Sequence, residues 1–147
     1  MKYFYLTTLL TIIHVFTFAQ NSNKQVEKQE VQNLINVSFI QAYENLKSPK
    51  AFLDGTHKDF KQITNAYGVV NCRSRAKMEG QIRHGRFDRN RIDPDITAEF
   101  ESIDIVGGEA TAKVKVYNKQ QFTHIYNFTL VKADGDWKIM KNISVRI

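Results

Sequence analysis

The spacing of apolar and polar positions divides the chain into a helical first half and a stranded second half. Val31, Leu34, Ile35, Ser38, Phe39, Ala42 and Leu46 recur at three- and four-residue steps, the spacing of one helix face. Val37 and Ile40 widen that stripe, so a helix starting at Val26 is covered on more than one side. Ser48-Pro49 then offers a side-chain cap followed by proline at the first helical position, where its missing N–H costs nothing. A short second helix over Pro49 to Asp54 follows, with Gly55 read as its left-handed terminator. His57 to Gln62 leads into a short strand around Gln62 to Tyr67, which Gly68 breaks. A third helix starts from Ser74 as cap and runs to about His84. It turns Ala76, Met78 and Ile82 inward and sets Arg75, Glu79 and Arg83 as a four-step ladder outside. Gly85 to Asp95 is a charge-rich loop.

After Ile96 the period changes to two. Ile96 to Val106 is a strand ending at Gly107-Gly108, a hairpin turn signal. Glu109 to Tyr117 alternates, with Ala110, Ala112, Val114 and Val116 on one face and Thr111, Lys113 and Lys115 on the other. Phe122, His124, Tyr126, Phe128 and Leu130 share a face of the next strand, and Asp134-Gly135 is a tight turn. Trp137, Ile139, Ile143, Val145 and Ile147 share the expected inner face of the last strand. Three helices around one short strand, then an antiparallel meander, predict an α+β fold with the helices packed on one face of a curved sheet.

The N-terminus is different in kind. Lys2, an apolar run from Tyr3 to Phe18, and Thr17-Phe18-Ala19 have the layout of a secretory signal peptide cleaved near Ala19. The organisation expected is a signal peptide over 1–19, a polar lead-in over 20–25, and one domain over 26–147, periplasmic or secreted. Cys72 is the single cysteine, so no disulfide forms within the chain; it reads as a small buried filler. The formal charge of +6 is concentrated. Between Arg73 and Arg91 stand seven basic residues and two acidic ones; with this segment and Lys2 set aside, the charges balance. Attraction for anions therefore originates there. Its arginines lack interleaved stacking aromatics, and with export this argues against nucleic acid as a partner. A solvated helix face is the default, and contact with anionic envelope components or an anionic ligand at a cavity mouth is the alternative.

Val31-Gln32-Asn33-Leu34 through Lys47, then His57-Lys58-Asp59-Phe60, the Ile105…Gly108…Ala110-Thr111-Ala112 stretch and Leu130-Val131-Lys132…Asp134-Gly135…Trp137-Lys138-Ile139 together resemble the nuclear transport factor 2-like superfamily. More narrowly they are similar to its family of small bacterial domains named for proposed lumazine binding. Lys58 replaces the proline usual in the superfamily's His-Pro-Asp-aromatic corner. The resemblance implies a cone-shaped half-barrel capped by helices, with a cavity at one end, and a homodimer through the outer sheet face near Thr111, Lys113, Lys115 and Tyr117. Members include enzymes and domains without activity, so fold does not choose the function.

Candidate chemistry follows from this cone. Tyr43, Tyr67, His124, Tyr126 and Phe128 are the expected cavity residues for a small-molecule ligand. His124 is the sharper catalytic candidate, an ionisable ring on an apolar strand face. His57 and Asp59 are the other pair, against the reading that they only close a turn in which Asp59 caps backbone N–H groups. Asp104 is the strand carboxylate nearest a change of alternation. The histidines have no metal-ligand spacing, and no phosphate loop or nucleophile elbow is present, so neither metal nor cofactor is expected. The reading is an exported ligand- or partner-binding domain, more a binder than an enzyme. The alternative is a small isomerase, dehydratase or cyclase with a cavity histidine as base.

Overall fold

The computed structural model describes residues 23–45, 48–84 and 95–146. The expected signal peptide, Leu46, the expected loop after His84 and Ile147 fall outside the described residues. Helix α1 spans 23–44; it is α-helical over 23–35 and π-helical over Asn36–Glu44. Asn45 closes it, donating its N–H to the Ile40 carbonyl five residues back at 2.9 Å. Bonding at this longer interval brings residues five apart towards one side. Under α-helical phasing Glu44 would lie about 140° around the axis from Phe39. Here it joins Phe39, Ile40 and Tyr43 among the buried residues of the turn.

Helix α2 (Pro49–Gly55) is capped by Ser48, whose hydroxyl accepts the Ala51 N–H at 3.0 Å. Gly55 is not a left-handed terminator: among the described residues, the glycines of positive φ are Gly68, Gly107 and Gly135. Its role is space. A Cβ there would lie 2.0 Å from Ser38 Oγ, so only glycine lets α2 sit this close to α1.

Strand β1 (Thr56–Ala66) begins six residues before the expected start, and β2 (Val69–Ser74) is a strand that the apolar pattern did not show. Tyr67 and Gly68, both at positive φ, form the tight turn between them. Helix α3 (Arg75–Arg83) starts at the Ser74 cap and buries Met78 and Ile82, whereas Ala76 is exposed. Strands β3 (Ile96–Val106), β4 (Glu109–Asn118), β5 (Gln121–Ala133) and β6 (Asp136–Arg146) form the meander. The six strands run β2-β1-β6-β5-β4-β3, antiparallel except for the parallel β1–β6 pair.

Register shifts bend this sheet. Glu101 on β3, Thr123 on β5 and Met140 on β6 are each an extra residue opposite the neighbouring strand. The Met140 bulge matters most, because one extra residue reverses which side chains face the helices. Trp137 and Ile139 are buried as expected. Beyond the bulge Asn142 and Ser144 are the buried ones, while Ile143 is half-buried and Val145 is 40 % exposed. The expected inner face is therefore wrong for the end of β6, and polar groups take the interior places. The core above them is aromatic: Phe39 meets Tyr126 and Phe128 edge-on at 5.2 and 5.0 Å, and Phe52 meets Phe60 edge-on at 5.7 Å.

Candidate functional site

The reversed end of β6 lies between two other strands that also turn polar side chains inward. Asn142 pairs in register with Gln62 of β1 on one side and Phe128 of β5 on the other. Gln62 in turn stands opposite Arg73 of β2. One row across the inner face thus reads Arg73, Gln62, Asn142, Phe128. The adjacent row carries Thr64, Ser144 and Tyr126.

Helices α1 and α3 close over these rows. Tyr43 of the π-helical turn accepts a hydrogen bond from Arg73 Nη1 at 3.2 Å and donates to Gln81 Oε1 of α3 at 3.2 Å. Arg73 Nη1 also reaches Gln62 Oε1 at 3.4 Å. The Tyr126 hydroxyl donates to the buried Glu44 carboxylate. His124 sets its ring edge-on against Tyr126 with centroids 4.5 Å apart. Asn142 is wholly buried, and neither its amide nitrogen nor its amide oxygen has a partner. A buried, unpaired polar group costs about 1–3 kcal/mol, so it marks a place where water or a ligand group belongs.

The site candidates sort themselves. Tyr43, His124 and Tyr126 belong to this inner cluster, and the first and last are buried. Phe128 is core, packed on Phe39. Tyr67 is 86 % exposed on the β1–β2 turn, so its place in the expected cavity list is corrected. His57 and Asp59 lie within β1, not in a turn. The expected cap is reversed as well: Asp59 donates its backbone N–H to His57 Nδ1 at 3.2 Å, and its largely exposed carboxylate lies 3.7 Å from the same nitrogen. Asp104 is exposed. Cys72 is exposed, not buried, because β2 is an edge strand. Gln62, Asn142 and Glu44 are not among the expected site residues, and Arg73 is expected only as part of the basic segment. The opposition of Gln62 and Arg73 follows from the Tyr67-Gly68 turn, a signal the sequence did contain.

At the opposite end, an open depression of about 320 Å³ lies beside Glu30, Leu34, Gly135 and Trp137. Trp137 is 6 % exposed with Lys132 Nζ 5.1 Å above its ring, a packed position under the first helix. Among the described residues, no group of three or more His, Cys, Asp or Glu could hold a metal ion, and no helix is long and apolar enough to cross a membrane.

No family model matches the sequence, and no curated protein matches it. Solved structures do. A protein of unknown function from Silicibacter pomeroyi, described as NTF-2 like, is 13 % identical with a TM-score of 0.65, over 84 % of this chain and 96 % of that one. The chain has the nuclear transport factor 2-like fold. An NTF2-like protein of unknown function from Methylobacillus flagellatus is 21 % identical, TM-score 0.62, over 81 % of this chain and 90 % of its own. A scytalone dehydratase candidate from Novosphingobium aromaticivorans is 18 % identical, TM-score 0.61, over 86 % and 88 %. Identities this low carry the NTF2-like architecture and leave the chemistry to the residues.

Proposed function

We propose that this chain is an exported small-molecule-binding domain without catalytic activity. Its site is the polar inner face where Arg73, Gln62, Asn142 and Ser144 meet Tyr43 and Tyr126. The observation that carries the proposal is Asn142: a wholly buried amide with no partner on either atom, beside Gln62 and Tyr126, which are hydrogen-bonded. A ligand offering one donor and one acceptor would satisfy it. The narrower resemblance, to domains named for lumazine binding, supplies one ligand to test. A homodimer through the outer sheet face and contact of the basic segment with anionic envelope components complete the proposal. Native mass spectrometry of the purified protein tests it. A co-purifying small molecule, lost in Asn142→Leu while the fold is kept, is the expected result; an empty protein that binds no ligand in a metabolite-extract screen refutes it.

A second reading rests on its own observation. Glu44, Tyr126 and His124 stand in sequence as carboxylate, phenol and imidazole, the parts of an acid–base site. The fold shared with the scytalone dehydratase candidate is compatible with a small dehydratase, isomerase or cyclase that uses His124 as base. Turnover of the co-purified molecule, abolished in His124→Ala with binding retained, would select the enzyme.

A further inference from the structure

The basic segment that begins at Arg73 contains cations of different kinds. Arg83 lies against Glu79, with Nη2 and Oε1 2.6 Å apart, one turn away on the surface of α3. Arg75 is occupied by structure: its Nε donates to Thr56 Oγ1 at 3.0 Å and its Nη2 to the Leu53 carbonyl, tying α3 to the end of α2. Lys77 stands on the exposed face of α3. Arg73 turns the other way. It is half-buried, and its Nη1 donates to the Tyr43 hydroxyl and the Gln62 amide oxygen, both neutral. None of the ion pairs among the described residues includes it.

A guanidinium has five N–H donors arranged as a fork, and the edge formed by Nε and Nη2 matches the two oxygens of a carboxylate. In Arg73 that edge has no partner among the described residues, since Nη1 carries the contacts to Tyr43 and Gln62. A cation drawn away from water without a counter-charge is unfavourable, and an anion brought to it is correspondingly favoured. The second half of the recognition set is one strand beyond Gln62. Asn142 lies in the same row on the same face, with a free amide donor and a free amide acceptor. Neighbouring strands are about 4.8 Å apart, so Arg73 and Asn142 are separated by roughly the length of a small ring with a substituent at each end.

We infer that the site takes a small carboxylate, with the acid on the open edge of Arg73 and a hydroxyl or amide at the ligand's other end on Asn142. The inference rests on the binding reading above and narrows it to an anionic ligand class. Gln62 and Tyr43 hold the guanidinium in place, and Gln81 holds Tyr43. The basic segment then has a divided task. Arg75 and Arg83 stabilise the fold, and Arg73 sets the charge of what is bound.

The test uses 4-hydroxybenzoate and its neutral counterpart 4-hydroxybenzamide as probes, with isothermal titration and thermal shift on the purified protein. The acid is expected to bind and raise the melting temperature, and the amide to bind at least about tenfold more weakly, because a charge-assisted pair is lost. Arg73→Gln keeps a hydrogen-bonding group near Tyr43 but removes the charge, and should abolish the preference for the acid. Arg73→Lys keeps the charge without the fork and should give an intermediate preference, which guards against a folding defect in the first variant. Asn142→Leu should erase the advantage of 4-hydroxybenzoate over benzoate. Equal binding of acid and amide, an unaltered preference in Arg73→Gln, or no binding of the acid at millimolar concentration each overturns the inference. A neutral co-purified ligand would overturn it too, while leaving the binding function standing.

Discussion

Tyr126 on β5 donates its hydroxyl to the carboxylate of Glu44, 82 residues earlier at the end of the π-helical turn, and the contact is buried. It joins the helical cap to the middle of the sheet. Tyr126→Phe removes the donor and leaves Glu44 buried without it, which should cost about 1–3 kcal/mol. Glu44→Gln keeps an acceptor for the phenol and should cost less. Urea unfolding of the two single variants and the double variant measures the coupling. Purely additive effects would show that the pair is incidental.

Asn142 makes the opposite prediction. A buried amide without partners lowers stability, and an apolar side chain of similar volume removes that penalty. Asn142→Leu should raise the unfolding free energy by about 1–2 kcal/mol while weakening ligand binding, the exchange of stability for function seen at binding sites generally. Chemical denaturation checks the first part and titration the second. A less stable Asn142→Leu would mean that the amide is already satisfied in the folded protein.

Much of this architecture was legible in the sequence, and the gaps have physical causes. Ser48-Pro49 and Ser74 announce helices because a cap is a local hydrogen bond, and each accepts the backbone N–H expected of it. The Gly107-Gly108 and Asp134-Gly135 turns fix where the strands begin and end, and β4 keeps its alternation intact, so the bounds of β3 and β4 and the β5–β6 turn are placed correctly. Met140 is different. A bulge adds one residue without a glycine or proline to mark it, and the apolar run through Ile143 and Val145 continues on the outer face as if nothing had happened. The π-helical turn is equally silent, since Asn36 to Glu44 has the composition of any amphipathic helix; hence Glu44 was not placed inside. β2 is only half legible: Gly68 marks a turn, but Tyr67 is an unusual residue for its other left-handed position and Val69 to Ser74 shows no apolar alternation.

Gly55 gives a prediction about helix packing. Its φ is not positive, so alanine suits the backbone, yet its Cβ would meet Ser38 Oγ at 2.0 Å and Ser38 Cβ at 2.2 Å. Gly55→Ala should therefore force α1 and α2 apart and lower stability by about 1–3 kcal/mol, the usual cost of overpacking. Since part of the clash is with Ser38 Oγ, Ser38→Gly in the same chain should recover most of the loss. A shift of the thermal midpoint in Gly55→Ala that the second substitution leaves unchanged would place the cause in the backbone instead.

The outer sheet face carries a pH prediction. Glu101, the extra residue of the β3 bulge, lies 2.8 Å from Lys113 Nζ and 2.8 Å from Lys115 Nζ. Hydrogen bonds from Lys113 and then Lys115 hold its carboxyl below the usual 4.5, against a smaller opposing effect of desolvation. A carboxylate depressed in the folded state contributes stability above its unfolded value and loses it as pH falls through the folded one. The Glu101 contribution should therefore be present above 4.5 and disappear below it. Lys115 gives the mirror image. The Glu101 contact raises its ammonium above the usual 10.5, so that share of stability is present below 10.5 and is lost as pH rises beyond it. Glu101→Gln should flatten both limbs of a plot of melting temperature against pH. The pair is exposed, so its effect is small and should shrink further as salt screens it. Melting curves across the pH range at low and high salt provide the measurement. Parallel wild-type and Glu101→Gln profiles at both ends would show that the triad, although well formed, does not stabilise the fold.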